Sequence, residues 1–164
     1  MPGVKKLTAF PELTNQKVLE VLRRYPEMRY PEDLAIENAN FQVPLSHYCV
    51  YELPDISVYQ GQWKNGKKQG LGRMVFLDGG IYEGTWNDDV PCGYGRIIRR
   101  NGDMYEGYIK DFHAHGFGIF ISLDGYRYAG EWAFDKKEGQ GEESYENSIF
   151  MYKGQFRNNK YHGE

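Results

Sequence analysis

The sequence predicts a mainly β protein: an elongated, single-layer antiparallel meander of repeated hairpins, preceded by a short α-helical N-terminal extension. Two observations lead to this fold class. Tyrosines recur every 23 residues in the second part of the chain, and glycines follow each of them at fixed offsets. All but one of the 20 glycines lie after residue 58, whereas six of the seven prolines lie before it. We therefore divide the chain into an N-terminal extension with one helix, residues 1–58, and a repeat domain, residues 59–164.

The repeat domain contains four full repeats and the beginning of a fifth. They start at residues 59, 82, 105, 128 and 152. In every full repeat a glycine stands two residues after the tyrosine, a large apolar residue stands four after it, and a Gly-x-Gly pair stands eleven and thirteen after it. Agreement at five positions in four units identifies a repeat architecture, in which each unit is one supersecondary element.

Each repeat contains two segments with strand character. The first, Tyr-x-Gly-x-Trp, has the period of two that a strand requires. Asn65-Gly66 follows it in the first repeat, and this dipeptide is a hairpin turn signal. The second segment begins at the Gly-x-Gly pair and ends at Asp78-Gly79, which favours another tight turn. Successive hairpins should therefore join into an antiparallel meander.

The aromatic residues and the first glycine of a repeat are expected to share one face of the sheet. Because side chains alternate along a strand, Tyr59, Gly61 and Trp63 point the same way. A glycine inside a strand is unfavourable unless another group must approach the backbone closely, and an aromatic ring lying over it is such a group. The sequence thus predicts a row of rings that cover glycines on neighbouring strands.

The N-terminal extension carries a helical pattern. Apolar residues within Val18–Leu22 have helical spacing, which predicts a helix with Thr14 as N-cap and Pro26 beyond its end. Pro31–Leu34 favours one turn of helix, and Tyr48–Tyr51 favours a strand that pairs with the first repeat. Two hypotheses follow: the extension caps an exposed end of the repeat sheet, or its helix anchors a partner.

Residues 59–164 resemble the MORN repeat (membrane occupation and recognition nexus). Tyr-x-Gly-x-Trp followed by Gly-x-Gly at a 23-residue period carries the resemblance, and His115 precedes the glycine pair as it often does in that family. Ile109 and Phe156 depart from the pattern by replacing Trp. In the fourth repeat Glu142-Glu143-Ser144 replaces the apolar second strand, so we expect local irregularity there, and the extra residue before Tyr152 agrees with this.

Composition and motifs argue against several function classes. The chain has 20 basic and 23 acidic residues, unlike a nucleic-acid binder, and two cysteines are too few for a disulfide scaffold. Gly61–Lys68 imitates a phosphate-binding loop but lacks the Ser or Thr and the helix that such a loop needs. His113 and His115 should share a strand face, yet no further metal ligand accompanies them. We expect no catalytic, cofactor or metal site.

We expect a non-enzymatic scaffold, a structural subunit that binds several proteins in a larger assembly. The resemblance implies cytoskeletal assemblies, including the cilium and flagellum, and hence a cytoplasmic, cytoskeleton-associated location; the open C-terminal edge of the sheet also suggests self-association. The aromatic row is the candidate partner-binding surface, although its rings would also serve to cover the glycines. Its residues are Tyr59, Trp63, Tyr82, Trp86, Tyr105, Tyr128, Trp132, Tyr152 and Phe156.

Two other functions stay open at this point. A peripheral membrane adaptor would bind acidic phospholipids, such as phosphoinositides, through the basic groups at Lys64–Lys68 and Arg99-Arg100. Nearby acidic residues disfavour that hypothesis, because stable attraction to a membrane needs several unopposed basic residues. MORN-like repeats also resemble segments that precede kinase or methyltransferase domains, so a regulatory module is the third hypothesis.

Overall fold

The computed structural model describes residues 2–146 and 151–163, and it confirms the predicted meander. Twelve strands form one antiparallel sheet in which every strand pairs with its neighbours in the chain. The strands are β1 (Lys5–Leu7), β2 (Val50–Glu52), β3 (Val58–Lys64), β4 (Lys67–Val75), β5 (Ile81–Asn87), β6 (Val90–Ile98), β7 (Met104–Lys110), β8 (His113–Ile121), β9 (Tyr126–Ala133), β10 (Lys136–Tyr145), β11 (Met151–Arg157) and β12 (Lys160–His162).

The strand register aligns equivalent residues of successive hairpins into straight rows across the sheet. Gly61 pairs with Gly72, Gly72 pairs with Gly84, and the row of paired glycines continues to Gly154. The repeat tyrosines form a parallel row on the same face, since they precede the glycines by two residues. We call this side of the sheet the aromatic face and the other side the opposite face.

The first glycine of each Gly-x-Gly pair makes a bulge. Gly61 pairs with Gly72 and Trp63 pairs with Lys68, so two steps along β3 match four along β4. Gly70 lies inside this irregularity with a φ of 86°, a left-handed conformation that favours glycine. The equivalent glycines of the other repeats also have positive φ, so the two glycines of a pair have different roles.

The two-residue hairpin turns dock onto the preceding hairpin. The Asp89 carboxylate accepts a hydrogen bond from the backbone N–H of Lys68 at 2.8 Å, and Asp135 accepts one from Ala114 at 2.7 Å. In the second repeat Pro91 holds the position of Lys68 and Ala114, and it has no N–H to donate. In the third repeat Phe112 holds the turn position that Asp89 and Asp135 hold in their repeats. These turns therefore tie each hairpin to the one before it.

The N-terminal helix α1, Gln16–Arg24, begins one residue later than predicted. Its N-cap is Asn15 rather than Thr14, because the Asn15 side chain accepts hydrogen bonds from the backbone N–H groups of Lys17 and Val18. Val18 and Val21 are buried against an aliphatic cluster on the opposite face of the sheet. Ile81, Ile98 and Met104 form the sheet side of that cluster.

Other parts of the extension also differ from the sequence-based expectation. Pro31–Leu34 closes a turn, with the Leu34 N–H donating to the Pro31 carbonyl at 3.2 Å, and no helix follows. A short 3₁₀ turn lies instead at Leu45–His47. The predicted strand at Tyr48–Tyr51 is β2, shifted toward the C-terminus. It pairs with the first repeat as expected, and Tyr51 lies opposite Tyr59. The pairing of β1 with β2 was not predicted.

The extension crosses the opposite face over the first three repeats. The Gln62 amide donates to the Asn38 carbonyl at 2.9 Å, and the Arg96 guanidinium donates to the Tyr25 carbonyl at 2.6 Å. The Tyr30 ring packs edge-on against Tyr94 with centroids 6.1 Å apart. The extension therefore occupies the opposite face of the early repeats.

The expected irregularity of the fourth repeat is wrong within the described residues. Strand β10 pairs with both β9 and β11 through Glu142, Glu143 and Ser144. A regular strand accepts these polar residues because Lys137 and two tyrosine hydroxyls surround the Glu143 carboxylate. The extra residue that precedes the fifth repeat lies between β10 and β11, where residues 147–150 are outside the described residues.

Candidate binding groove on the aromatic face

Each repeat tyrosine lies against the paired glycines of its own hairpin. A Cβ built on Gly95 would lie 2.7 Å from Tyr82 Cε2, and one built on Gly84 would lie 2.5 Å from the Tyr82 hydroxyl oxygen. That hydroxyl donates to the Thr85 carbonyl at 2.8 Å, three residues along the chain. The other repeats make the same hydrogen bond, from Tyr59 to Gln62, Tyr105 to Tyr108, Tyr128 to Glu131 and Tyr152 to Gln155.

The tryptophans connect the tyrosines of adjacent repeats. Trp86 packs edge-to-face against Tyr59 and Tyr82, with ring centroids 5.4 and 5.2 Å away, and its indole N–H donates to the Gly72 carbonyl at 3.2 Å. Trp132 makes the same contacts in the third and fourth repeats. Edge-to-face packing of this kind adds about 0.5–1.5 kcal/mol per pair beyond burial. The row of rings thus stabilises a sheet that has no second β layer.

The third repeat interrupts the row of rings. Ile109 occupies the tryptophan position, so no ring bridges Tyr82 and Tyr105. Phe112, in the adjacent turn, packs instead near Tyr82 and Phe76, with centroids 6.1 and 5.8 Å away. The turn residue of this repeat thus places a ring next to Tyr82.

The predicted partner-binding residues all lie in this row, but they differ in accessibility. Trp63, Trp132 and Tyr152 are partly exposed. The other six are buried, so their contacts are mainly with one another and with glycines: Tyr59, Tyr82, Trp86, Tyr105, Tyr128 and Phe156. Binding of a partner by the row stays a prediction, and a partner would reach mainly the three partly exposed rings.

An open groove lies on the aromatic face between the third and fourth repeats. It has a volume of about 560 Å³. Four rings line it, from Tyr105, Phe120, Tyr126 and Trp132, together with the buried Ala114. Charged residues also line it: Arg99, Asp103, Asp135, Lys137 and Glu143. Phe120 and Tyr126 were not among the predicted site residues because neither is a repeat-defining position, although the period of two places Phe120 on the face of Gly118.

A polar cluster bounds the groove at the fourth repeat. The Glu143 carboxylate accepts hydrogen bonds from the Lys137 ammonium at 2.7 Å, from the Tyr126 hydroxyl at 2.6 Å and from the Tyr161 hydroxyl. The Lys137 ammonium also lies 2.7 Å from the Tyr126 hydroxyl oxygen. Partial burial opposes ionisation of Glu143, but these three hydrogen bonds outweigh burial and hold its pKa below the ordinary value. Burial, reinforced by the Glu143 carboxylate, raises the pKa of Tyr126. Glu143 is therefore ionised and paired at neutral pH.

The lysines of the first hairpin, which sequence analysis considered for lipid binding, are each paired with a carboxylate. Lys64 pairs with Glu37. The Lys67 ammonium lies 3.4 Å from Asp88, and the Lys68 ammonium lies 3.2 Å from Asp89. Hydrogen bonding to Lys64 lowers the pKa of Glu37, which keeps that carboxylate charged. The positive charge available to an anionic surface is thereby reduced.

The motifs considered for chemistry have structural places in the sheet. Gly61–Lys68 forms the β3–β4 hairpin rather than a loop before a helix. His113 Nδ1 lies 2.6 Å from the Asp135 carboxylate, and the His115 ring packs at 54° to that of Phe134 with centroids 4.6 Å apart. Within residues 2–146 and 151–163, no three His, Cys, Asp or Glu side chains are grouped as metal ligands. Helix α1 has nine residues, and no helix in that part of the chain has the length and apolar character of a membrane span.

A family comparison agrees with the hairpins of the sheet. The model of the MORN repeat matches residues 59–81, 82–104, 128–148 and 152–164. The four matches begin at the first, second, fourth and fifth predicted repeat starts. Residues 105–127, where Ile109 and Phe112 depart from the pattern, fall outside the matches but form the β7–β8 hairpin in the same register.

A search of curated proteins finds no match to the chain. Repeats of the MORN type take part in protein–protein or membrane–lipid interactions. Four family matches in phase with the hairpins of one continuous sheet confirm the resemblance that the sequence suggested. The chain belongs to the MORN repeat proteins.

Proposed function

We propose that this protein is a non-enzymatic scaffold that binds partner proteins along its aromatic face. The observation that carries the proposal is the groove between the third and fourth repeats, where four aromatic rings surround a volume of about 560 Å³. Aromatic anchors in a concave site are typical of protein interfaces, where they provide most of the binding energy. The proposed setting, a cytoskeletal assembly such as a cilium or flagellum, follows from the family alone.

The covering of the opposite face supports this choice of surface. Residues of the extension occupy that face over the first two repeats through the hydrogen bonds of Gln62 and Arg96, and the cluster around helix α1 includes Ile121 and Leu123 of the third repeat. A partner that approaches the third repeat therefore finds the aromatic face open and the other side partly filled. The groove also runs across strands, so an extended segment or a helix could lie in it.

A pair of phenylalanines on β8 provides a matched test. Phe120 lines the groove, whereas Phe117 is 54% exposed on the opposite face of the same strand. Phe120→Ser should abolish capture of partners by the tagged protein, and Phe117→Ser should leave capture unchanged. Cross-linking and mass spectrometry in extract of the native source measure the capture, while circular dichroism verifies folding. Equal capture by both folded variants would contradict the proposal.

Self-association is part of the same proposal, because β12 is exposed at the edge of the sheet in the described residues. Size-exclusion chromatography with light scattering measures it directly. A concentration-dependent increase in mass supports edge-to-edge association, and a constant monomer mass argues against it.

The alternative, a peripheral adaptor for acidic phospholipids, draws less support. Each lysine of the first hairpin has a carboxylate partner, and the whole chain carries a net charge of −3. Sedimentation with vesicles that contain or lack phosphoinositide tests it. Salt-sensitive binding only to the anionic vesicles would favour the adaptor over the scaffold.

A further inference from the structure

The chain contains its own example of how the aromatic face holds a cation. In the first repeat the Lys68 ammonium lies 5.4 Å from the centre of the Trp86 ring and 5.8 Å from that of Tyr59. It also lies 3.2 Å from the Asp89 carboxylate, which belongs to the next turn. Cation–π contacts and an ion pair thus act on one ammonium group. The Lys68 side chain is only 13% exposed, so it fills the site.

The fourth repeat shows the same arrangement with small changes. Lys137 holds the position equivalent to Lys68, nine residues after the repeat tyrosine. Its ammonium lies 5.3 Å from the centre of the Tyr128 ring and 5.2 Å from that of Phe156. Glu143 supplies the carboxylate at 2.7 Å. Lysine is therefore accommodated at this position in two of the repeats.

The third repeat keeps two rings and the turn carboxylate of this site and lacks the lysine, while Ile109 replaces the third ring, Trp63, which lies 6.0 Å from the Lys68 ammonium. Ala114 stands nine residues after Tyr105. Tyr105 and Trp132 are 5.5 Å apart at 88°, nearly identical to Tyr59 and Trp86 at 5.4 Å and 89°. Asp135 accepts a hydrogen bond from the Ala114 N–H at 2.7 Å, as Asp89 does from Lys68. The open groove lies where the lysine side chain would be, since Ala114, Tyr105, Trp132 and Asp135 all line it.

The second repeat also lacks the lysine, but there another side chain fills the space. Pro91 holds the equivalent position there, Ile109 replaces the neighbouring tryptophan, and Phe112 replaces the turn carboxylate. The Phe112 ring packs toward Tyr82 and fills that region. Only the third of the four full repeats combines two rings, a turn carboxylate and a missing side chain.

We propose that the groove of the third repeat binds a lysine side chain of a partner protein, with its ammonium between Tyr105 and Trp132 and paired with Asp135. The charges of the groove favour this occupant: Asp103, Asp135 and Glu143 face Arg99 and Lys137, which leaves one net negative charge. His113 contacts the other Asp135 oxygen and leaves the oxygen that bonds Ala114 as the acceptor for the ammonium. The inference rests on the proposed scaffold function and names the chemistry of its partner.

Nuclear magnetic resonance titration with N-acetyl-lysine methylamide tests the proposal without a known partner. The resonances of the Trp132 indole N–H and the Ala114 methyl group should shift on titration. The neutral analogue N-acetyl-norleucine methylamide should bind roughly tenfold more weakly, because it lacks the charge. Equal binding of the two probes, no shift with either, or tighter binding of the arginine or trimethyl-lysine analogue would overturn lysine as the occupant.

Three substitutions, one of them a control, sharpen the test. Ala114→Lys should fill the groove from within and abolish binding of the lysine probe, whereas Ala129→Lys, the same exchange on the opposite face, should leave it unchanged. Asp135→Asn should weaken the lysine probe about fivefold and leave the norleucine probe unaffected. Because Asp135→Asn keeps the hydrogen-bond acceptor of the turn, it tests the charge even if Ala114→Lys fails to fold.

The outcomes separate this inference from the proposed function. The lysine site is overturned if Phe120→Ser abolishes capture of a partner, Ala114→Lys does not, and the probes show no selectivity for lysine. The proposed scaffold function is still supported in that case. Lysine-selective binding with no captured partner supports the site and contradicts the scaffold.

Discussion

At the scale of single residues, the fold depends on glycines that leave room for a ring. The Gly95 position shows the constraint, because an added Cβ would lie 2.7 Å from Tyr82 Cε2 and 2.9 Å from the Glu83 carbonyl oxygen. Tyr82 is fully buried and hydrogen-bonded to Thr85, so its ring cannot swing away. The second glycine of each pair is therefore required by packing, whereas the first is required by its positive φ.

Gly95→Ala should destabilise the protein by about 2 kcal/mol, since overpacking a filled site forces the ring or the backbone to move. Gly154→Ala should cost less than about 1 kcal/mol, because the neighbouring Tyr152 ring is partly exposed and can rotate. Urea unfolding followed by circular dichroism measures both. Equal costs at the two positions would refute a specific ring-on-glycine constraint.

The Glu143 cluster makes a pH-dependent contribution to stability. The folded state lowers the pKa of Glu143 below its unfolded value, so its contribution is present above the unfolded pKa, near 4.5, and is lost as pH falls through the folded pKa. Glu143→Gln should be less stable than the wild type at pH 7, and the difference should shrink below pH 4.5. Urea midpoints at several pH values measure this, and a pH-independent difference would show that the charge is irrelevant.

At the scale of elements, each hairpin is fastened to the previous one by its turn. Asp89, Asp135 and Asn159 accept the backbone N–H of the preceding hairpin, and Phe112 at the equivalent position faces Pro91, which has none. Packing of the Phe112 ring against Phe76 and Tyr82 therefore replaces the hydrogen bond that Pro91 cannot donate to the turn.

This compensation predicts coupling in a double-mutant cycle. Phe112→Asp alone should cost about 2 kcal/mol, because packing against Phe76 and Tyr82 is lost and the new carboxylate finds no donor. In a Pro91→Ala background the backbone N–H returns, so the same change should cost about 1 kcal/mol less. Equilibrium unfolding of the four proteins gives the coupling energy. Additive costs would show that the two positions are independent.

Helix α1 covers the aliphatic cluster on the opposite face of the sheet. Val21→Asp places a charge in a buried contact and should release α1, so trypsin should cleave after Arg23 and Arg24 at least tenfold faster. Lys17→Asp introduces the same side chain on the exposed side of the helix and should leave cleavage slow. Unchanged cleavage of Val21→Asp would mean that burial of the helix contributes little.

At the scale of the whole molecule, the local repeat signal predicted the meander well. The offsets of tyrosine and glycine predicted every hairpin from β3 to β10, because register, bulge and turn are all decided within 23 residues. The path of the extension could not be predicted in this way, since Asn38 and Tyr25 meet strands far along the chain. Glu143 was misjudged because its partners Lys137, Tyr126 and Tyr161 come from three different strands.

The candidate site was predicted only in outline. The sequence located the aromatic row, but burial of six of its nine residues depends on how adjacent hairpins pack. The groove arises where one repeat lacks a side chain that two others possess, and only the arrangement around Ala114 makes that difference visible.

Nuclear Overhauser contacts between tyrosine rings and glycine α-protons test the central claim most directly. We predict one strong contact in each full repeat, pairing the rings of Tyr59, Tyr82, Tyr105 and Tyr128 with Gly72, Gly95, Gly118 and Gly141. The same spectra should show α-proton contacts between the paired glycines of neighbouring strands. Tyrosine rings without contacts to these glycines would contradict the account of how this sheet is held together.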